Sequence, residues 1–222
     1  MKFLFLIFYL AVVNDASSQT QINSSEKNKS IPPKRWLSIN PLGLAEPQAA
    51  VGIGFSNRLS DRSAYFTELS YIINSPFYNY QQNNLRGYRW LFQYRHLNKS
   101  NPNSFIGLEF RLKGYQFNGK HQFINSSSND TLINFNYNAN ATSVGGAFLL
   151  GSNFSISSNK KWKIEITAGV GAKHKFVRFK NLPEGYQITP DNKGFGLKPP
   201  EIYEAVGMPY FPVCARITYE LY

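Results

Sequence analysis

Histidine, serine and acidic side chains are the groups in this chain that could carry hydrolytic chemistry. The 222 residues include three histidines and one cysteine. A nucleophilic serine needs a histidine within hydrogen-bond reach, yet no His-x-Ser spacing flanks His96, His121 or His174. His174 could still meet a serine or an aspartate from a loop. We therefore predict no catalytic residues and no enzyme activity, with a membrane-embedded lipid-modifying enzyme as the alternative.

Metal and cofactor chemistry finds equally little support in the sequence. Cys214 is the single cysteine, so neither an intramolecular disulfide nor a Cys/His zinc site is available. The pairs Gly52-x-Gly54 and Gly169-x-Gly171 lack the remainder of a phosphate-binding loop, and small residues facing a crowded interior explain them. We expect Cys214 to pack as a small side chain, with no metal and no cofactor bound.

Charged residues that alternate with apolar ones form the strongest pattern in the sequence. In the segment 87–95, four aromatic side chains fall on one face and Arg89, Gln93 and Arg95 on the other, because successive strand residues point to opposite sides. The segments 106–113 and 162–173 repeat this pattern. Across the strands, the polar face comprises Glu68, Arg89, Gln93, Arg95, Glu109, Arg111, Lys113, Lys163, Glu165, Lys173, Arg216 and Glu220. The aromatic part of the apolar face comprises Tyr88, Trp90, Phe92, Tyr94, Phe110 and Trp162.

This alternation has two interpretations. A soluble barrel or sandwich buries its apolar face and leaves the charges in water, whereas a transmembrane barrel turns the apolar face to lipid and the charged face inward. Several segments reach the roughly 9 to 11 residues of a membrane-spanning strand, while soluble strands centre on about 5 to 6. We therefore predict that the aromatic residues face the membrane and that the charged residues form a hydrogen-bonded network inside. An anion held in the interior is the alternative use of the inward cations.

The connections indicate an all-β fold, an eight-stranded antiparallel up-and-down transmembrane β-barrel. Alternation predicts strands at about 34–44, 48–58, 63–73, 85–96, 104–118, 141–156, 161–179 and 209–222. Short turns at 59–62, 97–103 and 157–160 alternate with long connections at 74–84, 118–140 and 181–208, as in barrels with periplasmic turns and outer loops. The first strand is the least regular, since Pro41 and Pro47 cannot both lie inside a paired strand. Eight strands enclose only enough space for side chains, so we expect a filled barrel rather than a pore.

The N-terminus indicates export from the cytoplasm. Lys2 is followed by the apolar segment 3–13 and by small residues at Ala16 and Ser18, which is typical of a signal peptide cleaved before Gln19. Residues 1–18 are therefore the predicted signal peptide, 19–33 a flexible periplasmic lead segment, and 34–222 the barrel domain. Beyond the N-terminus, no run of 18 or more apolar residues predicts a membrane helix.

The export signal, the alternating strands and the C-terminal segment 209–222 resemble the small outer-membrane β-barrel proteins of Gram-negative bacteria, with the OmpA-type barrel as the nearest architecture. More narrowly, the segments 40–72 and 85–95 are similar to an uncharacterised family of such barrels, whose first hairpins carry an Asn-Pro-Leu start, a Glu-Pro step and a glycine-rich second strand. The resemblance implies a location in the outer membrane. One feature departs from it, because terminal Tyr222 falls in register with Arg216 and Glu220 rather than with the apolar face.

A net charge of +11 would also suit a nucleic-acid-binding protein. Many of the cations instead cluster at the predicted periplasmic rim, where they would meet anionic lipid headgroups; they are Lys34, Arg35, Arg58, Arg62, Lys99, Lys160 and Lys161. We therefore expect outer-membrane lipid as a partner and no nucleic acid. Alternating segments at 115–124 and 131–138 indicate that strands five and six extend as a projecting hairpin. This hairpin and the other long loops are candidate contacts for envelope proteins or surface glycans.

The predicted function is that of a non-catalytic outer-membrane barrel, structural or accessory to the cell envelope. Its outer loops or its periplasmic rim would be the contact surfaces. Besides the lipid-modifying enzyme, a soluble secreted β-barrel that binds an apolar ligand is an alternative.

Overall fold

The computed structural model describes residues 34–45, 48–74, 83–125, 128, 130–184, 186–188 and 205–221. The predicted signal peptide (1–18), the predicted lead segment (19–33) and Tyr222 lie outside the described residues, as does most of the predicted loops 74–84 and 181–208. No helix in the described part of the chain is long and apolar enough to cross a membrane.

Among the described residues, ten strands form one antiparallel sheet that closes on itself. They are β1 (Arg35–Ile39), β2 (Ala50–Arg58), β3 (Ser63–Ile72), β4 (Asn83–Leu97), β5 (Ser104–Asn125), β6 (Thr131–Ser155), β7 (Trp162–Phe179), β8 (Tyr186–Ile188), β9 (Ala205–Tyr210) and β10 (Val213–Glu220). Each strand from β1 to β6 pairs with the next, β9 and β10 both pair with β7, and β10 pairs with β1. Because β9 and β10 are two parts of one wall strand and β8 pairs only with β5, the wall has eight strands. The predicted all-β, eight-stranded antiparallel fold is confirmed.

The first strand is shorter than the predicted 34–44. It ends at Ile39, and a 3-10 helix (Pro41–Ala45) follows it. In this turn the backbone N–H of Gly43 donates to both the backbone carbonyl and the side-chain oxygen of Asn40. Proline at the first position of the turn lacks the N–H that a continued strand would need.

The fifth and sixth strands are longer than predicted. β5 and β6 occupy most of the predicted loop 118–140, since their ladder continues as far as Ile124 and Thr131. The predicted projecting hairpin is therefore present as paired strand. The short strand β8, which alternation did not indicate, adds to the hairpin by pairing Tyr186–Ile188 with Phe123–Asn125.

The last wall strand begins at Ala205, earlier than the predicted 209, and it is interrupted at Phe211 and Pro212. Proline cannot donate a hydrogen bond to the ladder. The carbonyl of Pro212 still accepts a hydrogen bond from the backbone N–H of Gly169 on β7, at 2.9 Å. The wall therefore stays closed across the interruption.

Two bulges lie near the end of the barrel where the long connections are, which we call the loop end. The pairing of β4 with β5 shifts by one residue at Asn84, and the pairing of β6 with β5 shifts at Asn134. Both asparagines have a positive φ, of 54° and 55°. Asparagine tolerates this conformation better than most residues, which explains its presence at both bulges.

Outward-facing apolar side chains ring the wall, and we call this ring the apolar belt. Its members include Leu37, Ile39, Val51, Ile53, Leu69, Tyr71, Tyr88, Phe92, Tyr94, Ile106, Leu108, Phe110, Val144, Phe148, Leu150, Phe154, Trp162, Ile166, Val170, Phe176 and Val213, all exposed. On β6 the belt runs from Val144 to Phe154, about 34 Å of strand at roughly 3.4 Å per residue. At a strand tilt of about 40° this spans about 26 Å, close to the roughly 25 Å apolar band of transmembrane barrels.

The interior changes character along the wall. In the middle it is charged, with Glu68, Arg89, Arg95, Glu165 and Arg216 all buried. Towards the loop end it becomes apolar, and we call this part the loop-end cluster; its members include Ile72, Leu85, Tyr115, Phe117, Phe123, Tyr137, Ala139, Ala141 and Val177. The inward faces of the same strands thus carry two different kinds of core.

Candidate functional site

The charged middle of the interior is the candidate functional site, and Glu68 on β3 is its first buried carboxylate. The guanidinium of Arg89 donates from Nη2 to Glu68 Oε1 at 2.8 Å, and the hydroxyl of Ser70 donates to the same oxygen at 2.8 Å. Arg216 on β10 donates from Nε to Oε2 at 3.1 Å. Ser70 and Arg89 are cross-strand partners. Glu68 lies two residues from Ser70 on the same face of β3, so the β3–β4 register places the guanidinium of Arg89 beside its carboxylate.

Glu165 on β7 is the second buried carboxylate. Arg95 binds it through two parallel hydrogen bonds, Nη1 to Oε2 at 2.7 Å and Nη2 to Oε1 at 2.8 Å. Such bidentate pairs are among the stronger hydrogen-bonded contacts in proteins. Arg216 donates from Nη1 to Glu165 Oε1 at 2.8 Å. Because Arg216 contacts both Glu68 and Glu165, it links β3, β7 and β10 through the interior.

A glutamine extends the network to a third carboxylate. The side-chain oxygen of Gln93 accepts from Arg95 Nε at 3.0 Å and Nη2 at 2.6 Å, and its Nε2 donates to Glu109 Oε2 at 2.8 Å. Glu109 also accepts from Arg111 at 3.1 Å and from the hydroxyl of Tyr210 at 3.0 Å. Gln93 is fully buried, and both ends of its amide are satisfied, as a buried amide requires.

The ring of Phe66 packs against two of the guanidiniums. The centre of the ring lies 4.6 Å from the guanidinium carbon of Arg95 and 4.4 Å from that of Arg216. Phe105 lies 4.4 Å from Arg95 in the same way. A Cβ atom at Gly54 would come within 2.6 Å of the Phe66 ring, so glycine is the residue that leaves room for it. Cation–π contacts of this kind were not predicted.

The network has a structural rather than a reactive character. Each of its three carboxylates accepts hydrogen bonds from at least two donors. Removing one partner of a buried ion pair leaves an uncompensated charge and costs about 3–5 kcal/mol. The arrangement can therefore hold strands at fixed positions relative to one another, and it resists changes that unpair a charge.

A second group of charges lies at the opposite end of the barrel from the loops, which we call the short-turn end. Glu220 accepts from Lys34 and Lys163, each at 3.1 Å, and from the indole N–H of Trp36 at 3.2 Å. A cavity of about 130 Å³ opens beside them. Its lining includes Trp36, Ser38, Phe66, Arg95, Phe105, Lys163 and Glu165.

Further inward cations lie between the network and the loop-end cluster. Lys113 donates to Gln48 at 2.7 Å, and Gln48 donates in turn to the hydroxyl of Tyr115 at 2.9 Å. Lys173 lies 5.6 Å from the ring of Tyr210. Lys175 is 4% exposed and lies 5.6 Å from the ring of Tyr115.

The structure places every residue of the predicted polar face on the inner side of the wall. It adds residues that were not predicted, namely Gln48, Trp36, Phe66, Phe105, Lys175 and Tyr210. Lys175 follows Lys173 by two residues and thus shares its face, so the period of the strand could have identified it. Gln48 precedes β2, and no strand period applies to it.

The predicted membrane-facing aromatic residues lie on the outer side of the wall. Trp162 packs against Tyr219 with ring centres 4.8 Å apart, and Tyr88 packs edge-on against Tyr71 at 5.4 Å. Trp90 packs edge-on against Phe110 at 5.9 Å and donates its indole N–H to Thr67 at 2.9 Å. Phe92 and Tyr94 are exposed on the same face. That lipid covers these rings stays a prediction.

Two of the histidines that the sequence singled out, His96 and His174, are not part of this network, and the side chain of His121 lies outside the described part of the structure. His96 and His174 are exposed on the outer side, and His174 packs against Phe176 with ring centres 4.5 Å apart. Cys214 is buried on the inner side. Within the described ranges, no group of three or more His, Cys, Asp or Glu side chains could hold a metal ion.

Comparison with known proteins adds no assignment. No protein family, no curated protein and no solved structure matches the chain. The likeness of the segments 40–72 and 85–95 to outer-membrane barrels therefore stays a prediction about the family. What is established is the architecture, an eight-stranded antiparallel β-barrel with a charged middle.

Proposed function

We propose that this chain is an outer-membrane β-barrel that serves the cell envelope as a non-catalytic structural or accessory protein. The observation that carries the proposal is the apolar belt around a charged interior. Leaving apolar surface in water forgoes about 25 cal/mol per Å², and monomeric soluble proteins rarely expose contiguous apolar patches above a few hundred Å². Lipid is the environment that suits a belt of this height.

Aromatic pairs at both edges of the belt support the proposal. Trp162 and Tyr219 lie at the short-turn end, where β7 begins and β10 ends. Tyr71 and Tyr88 lie towards the loop end. Tryptophan and tyrosine are enriched at the two membrane–water interfaces, where an apolar ring can keep a polar atom in contact with water.

A soluble barrel for an apolar ligand is less well supported. Such a protein would carry its apolar side chains inward around a cavity. Here the middle of the interior is occupied by buried Arg89, Gln93 and Arg216, and the cavity at the short-turn end is lined partly by charged groups. The same filling argues against a passive pore.

A lipid-modifying enzyme is also less well supported than a structural role. The interior carboxylates Glu68, Glu109 and Glu165 are engaged by arginine, glutamine, serine and tyrosine donors. His96 and His174 lie on the outer side, and neither forms a hydrogen bond to a serine or a carboxylate of the described residues. The chemistry visible in the described interior is mutual neutralisation of charge.

The proposal is tested by fractionation and electrophoresis. The full chain is expressed in a Gram-negative host, the outer membrane is separated from the periplasm, and the detergent-solubilised protein is run with and without heating. We expect it in the outer-membrane fraction, migrating faster unheated than heated, as closed barrels in detergent do. Recovery in the periplasm or the medium, with no heat shift, would refute the proposal.

We further propose the long loops 74–84, 118–140 and 181–208, or the short-turn rim, as contact surfaces for envelope proteins or glycans. The projecting part of β5 and β6 supports this, because its outward residues Gln116, Asn118, Asn136 and Asn138 are polar and exposed. Cross-linking in intact cells, followed by purification of the complex, identifies partners. A variant that lacks 126–129 at the hairpin tip should lose a partner that binds there and keep one that binds the rim.

A further inference from the structure

A row of long polar side chains crosses four strands on the outer wall, directly beyond the apolar belt at the loop end. Arg86 on β4 is the cross-strand partner of Gln116 on β5, Gln116 pairs with Asn140 on β6, and Asn140 pairs with Arg178 on β7. All four are exposed. Because directly opposite residues share one face of a sheet, these side chains form a continuous polar row, which we call the arginine–amide row.

The charge of this surface is positive. Neither Arg86 nor Arg178 forms an ion pair with a described residue. Lys120 and Lys180 lie further from the belt on the same outer face, alongside Asn118 and Asn138. The acidic residues on the described strands β4 to β7 are Glu109 and Glu165, and both point inward. The outer face therefore attracts an anionic partner.

A groove joins the row to the apolar belt. It has a volume of about 410 Å³ and is lined by Tyr71, Arg86, Tyr88, Gly114, Gln116, Asn140 and Thr142, among others. A Cβ atom at Gly114 would meet nothing within 4 Å, so this position is an open depression in the wall. An amphiphilic molecule could place its headgroup on the row and its acyl chain along the depression and the belt.

We propose that the arginine–amide row binds the phosphorylated saccharide headgroup of a glycolipid in the membrane leaflet at the loop end. The inference rests on the proposed membrane location. Guanidinium groups bind phosphate through paired hydrogen bonds, and side-chain amides both donate to and accept from sugar hydroxyls. Arg86 and Arg178 are three strands apart, about 14 Å at roughly 4.8 Å per strand spacing, which exceeds the size of one phosphate and suits a sugar-bearing headgroup.

The test measures binding of diphosphoryl lipid A, the probe glycolipid, to the full chain purified in a neutral detergent. Native mass spectrometry counts bound lipid over a concentration series for the wild type and for the double variant Arg86→Gln/Arg178→Gln. We expect the double variant to bind at least about tenfold more weakly. The matched control is Lys120→Gln/Lys180→Gln, which removes two exposed cations that lie outside the row and should weaken binding far less.

Two further arms test the amides and the lipid source. Gln116→Ala/Asn140→Ala should weaken lipid A binding more than it weakens binding of phosphatidylglycerol, which has a phosphate and no sugar. A free sugar phosphate without acyl chains should bind more weakly than lipid A. Equal loss for both lipids in the alanine variant would overturn the assignment of a saccharide headgroup.

The outcomes separate this inference from the proposed function. Unchanged lipid A binding in the arginine variant, with the heat shift of a closed barrel retained, would refute the row as a glycolipid site and leave the membrane proposal intact. Absence of a heat shift in the wild type would refute the membrane proposal itself. If the arginine variant fails to fold, the alanine variant decides the inference.

Discussion

The middle of the barrel and its projecting end are built from the same strands with opposite distributions of side chains. On β5, Ile106, Leu108 and Phe110 face outward in the middle, while Tyr115 and Phe117 face inward beyond it. The β5–β6 register continues without a shift from Ser104 to His121. Strand geometry is thus constant, and only the chemistry of the two faces is exchanged. Under the membrane proposal, this exchange reflects a change of solvent along one continuous wall.

The exchange occurs at one height on three neighbouring strands. On β5 the exchange lies at Gly114 and Tyr115, which pair with Thr142 and Ala141 on β6. Thr142 and Ala141 pair in turn with Phe176 and Val177 on β7. Below the exchange the outer side chains are mostly apolar, apart from His174 on β7, and above it they are mostly amides and cations, apart from Ile133 on β6. Under the membrane proposal, this line marks the edge of the hydrocarbon and the region beyond it stands in water. The following predictions test that comparison.

The largest effect is expected from unpairing the charged middle. Glu165→Gln leaves the buried guanidiniums of Arg95 and Arg216 without their shared carboxylate, which should lower the free energy of unfolding by about 3–5 kcal/mol. Urea unfolding of the protein in lipid vesicles measures it. Glu184→Gln, an exposed loop change, is the control and should stay within about 0.5 kcal/mol. Equal stability of the two variants would contradict a packed ionic interior.

A matched pair of arginine substitutions on β6 compares the two outer faces directly. Phe148 lies near the middle of the belt and Asn138 on the projecting end, and both are exposed on the outer side. Phe148→Arg should cost about 2–4 kcal/mol in vesicles, as arginine does near the bilayer midplane, and Asn138→Arg about 0–1 kcal/mol. If both substitutions cost the same, the belt does not face lipid.

Much of this architecture could be predicted from the period of the sequence. Alternation locates strands because a strand has a period of two, and charge separates the faces in segments such as 87–95. The period alone does not predict that, beyond Gly114, apolar side chains face inward and polar side chains face outward. In 115–124 the alternation continues with aromatic residues on the face that carries charges lower down, and only the environment decides which face is buried.

The pairings inside the barrel could not be predicted in the same way. Arg95 and Glu165 are 70 residues apart, and they meet because closure of the sheet brings β4 and β7 to the same height in the interior. Bulges at Asn84 and Asn134 shift the register by single residues, and the last wall strand is interrupted at Phe211 and Pro212. Such local steps leave too weak a signal in one sequence to fix contacts between distant strands.

A smaller effect is expected in the loop-end cluster. Val177→Ala removes two buried methyl groups, which should lower the free energy of unfolding by about 1.6 kcal/mol at roughly 0.8 kcal/mol per methyl. Because this core faces inward, the loss should be similar in vesicles and in detergent. Val170→Ala, on the belt of the same strand, should respond to the change of medium. An equal response of both variants to the medium would contradict the proposed boundary between them.

The smallest effect is expected at the tip of the projecting hairpin, where the hydroxyl of Tyr186 donates to Asp130 at 2.6 Å. This hydrogen bond to a carboxylate raises the pKa of Tyr186 above its usual value near 10. Since the folded state favours the protonated hydroxyl, the contact contributes to β8 pairing below pH 10 and is lost as the pH rises through the raised pKa. Subtracting the tyrosinate absorbance of Tyr186→Phe from that of wild type isolates this titration. The same subtraction is made in the Asp130→Asn background, where the titration of Tyr186 should move to lower pH. If Tyr186 titrates at the same pH with and without Asp130, the carboxylate does not hold the tyrosine proton.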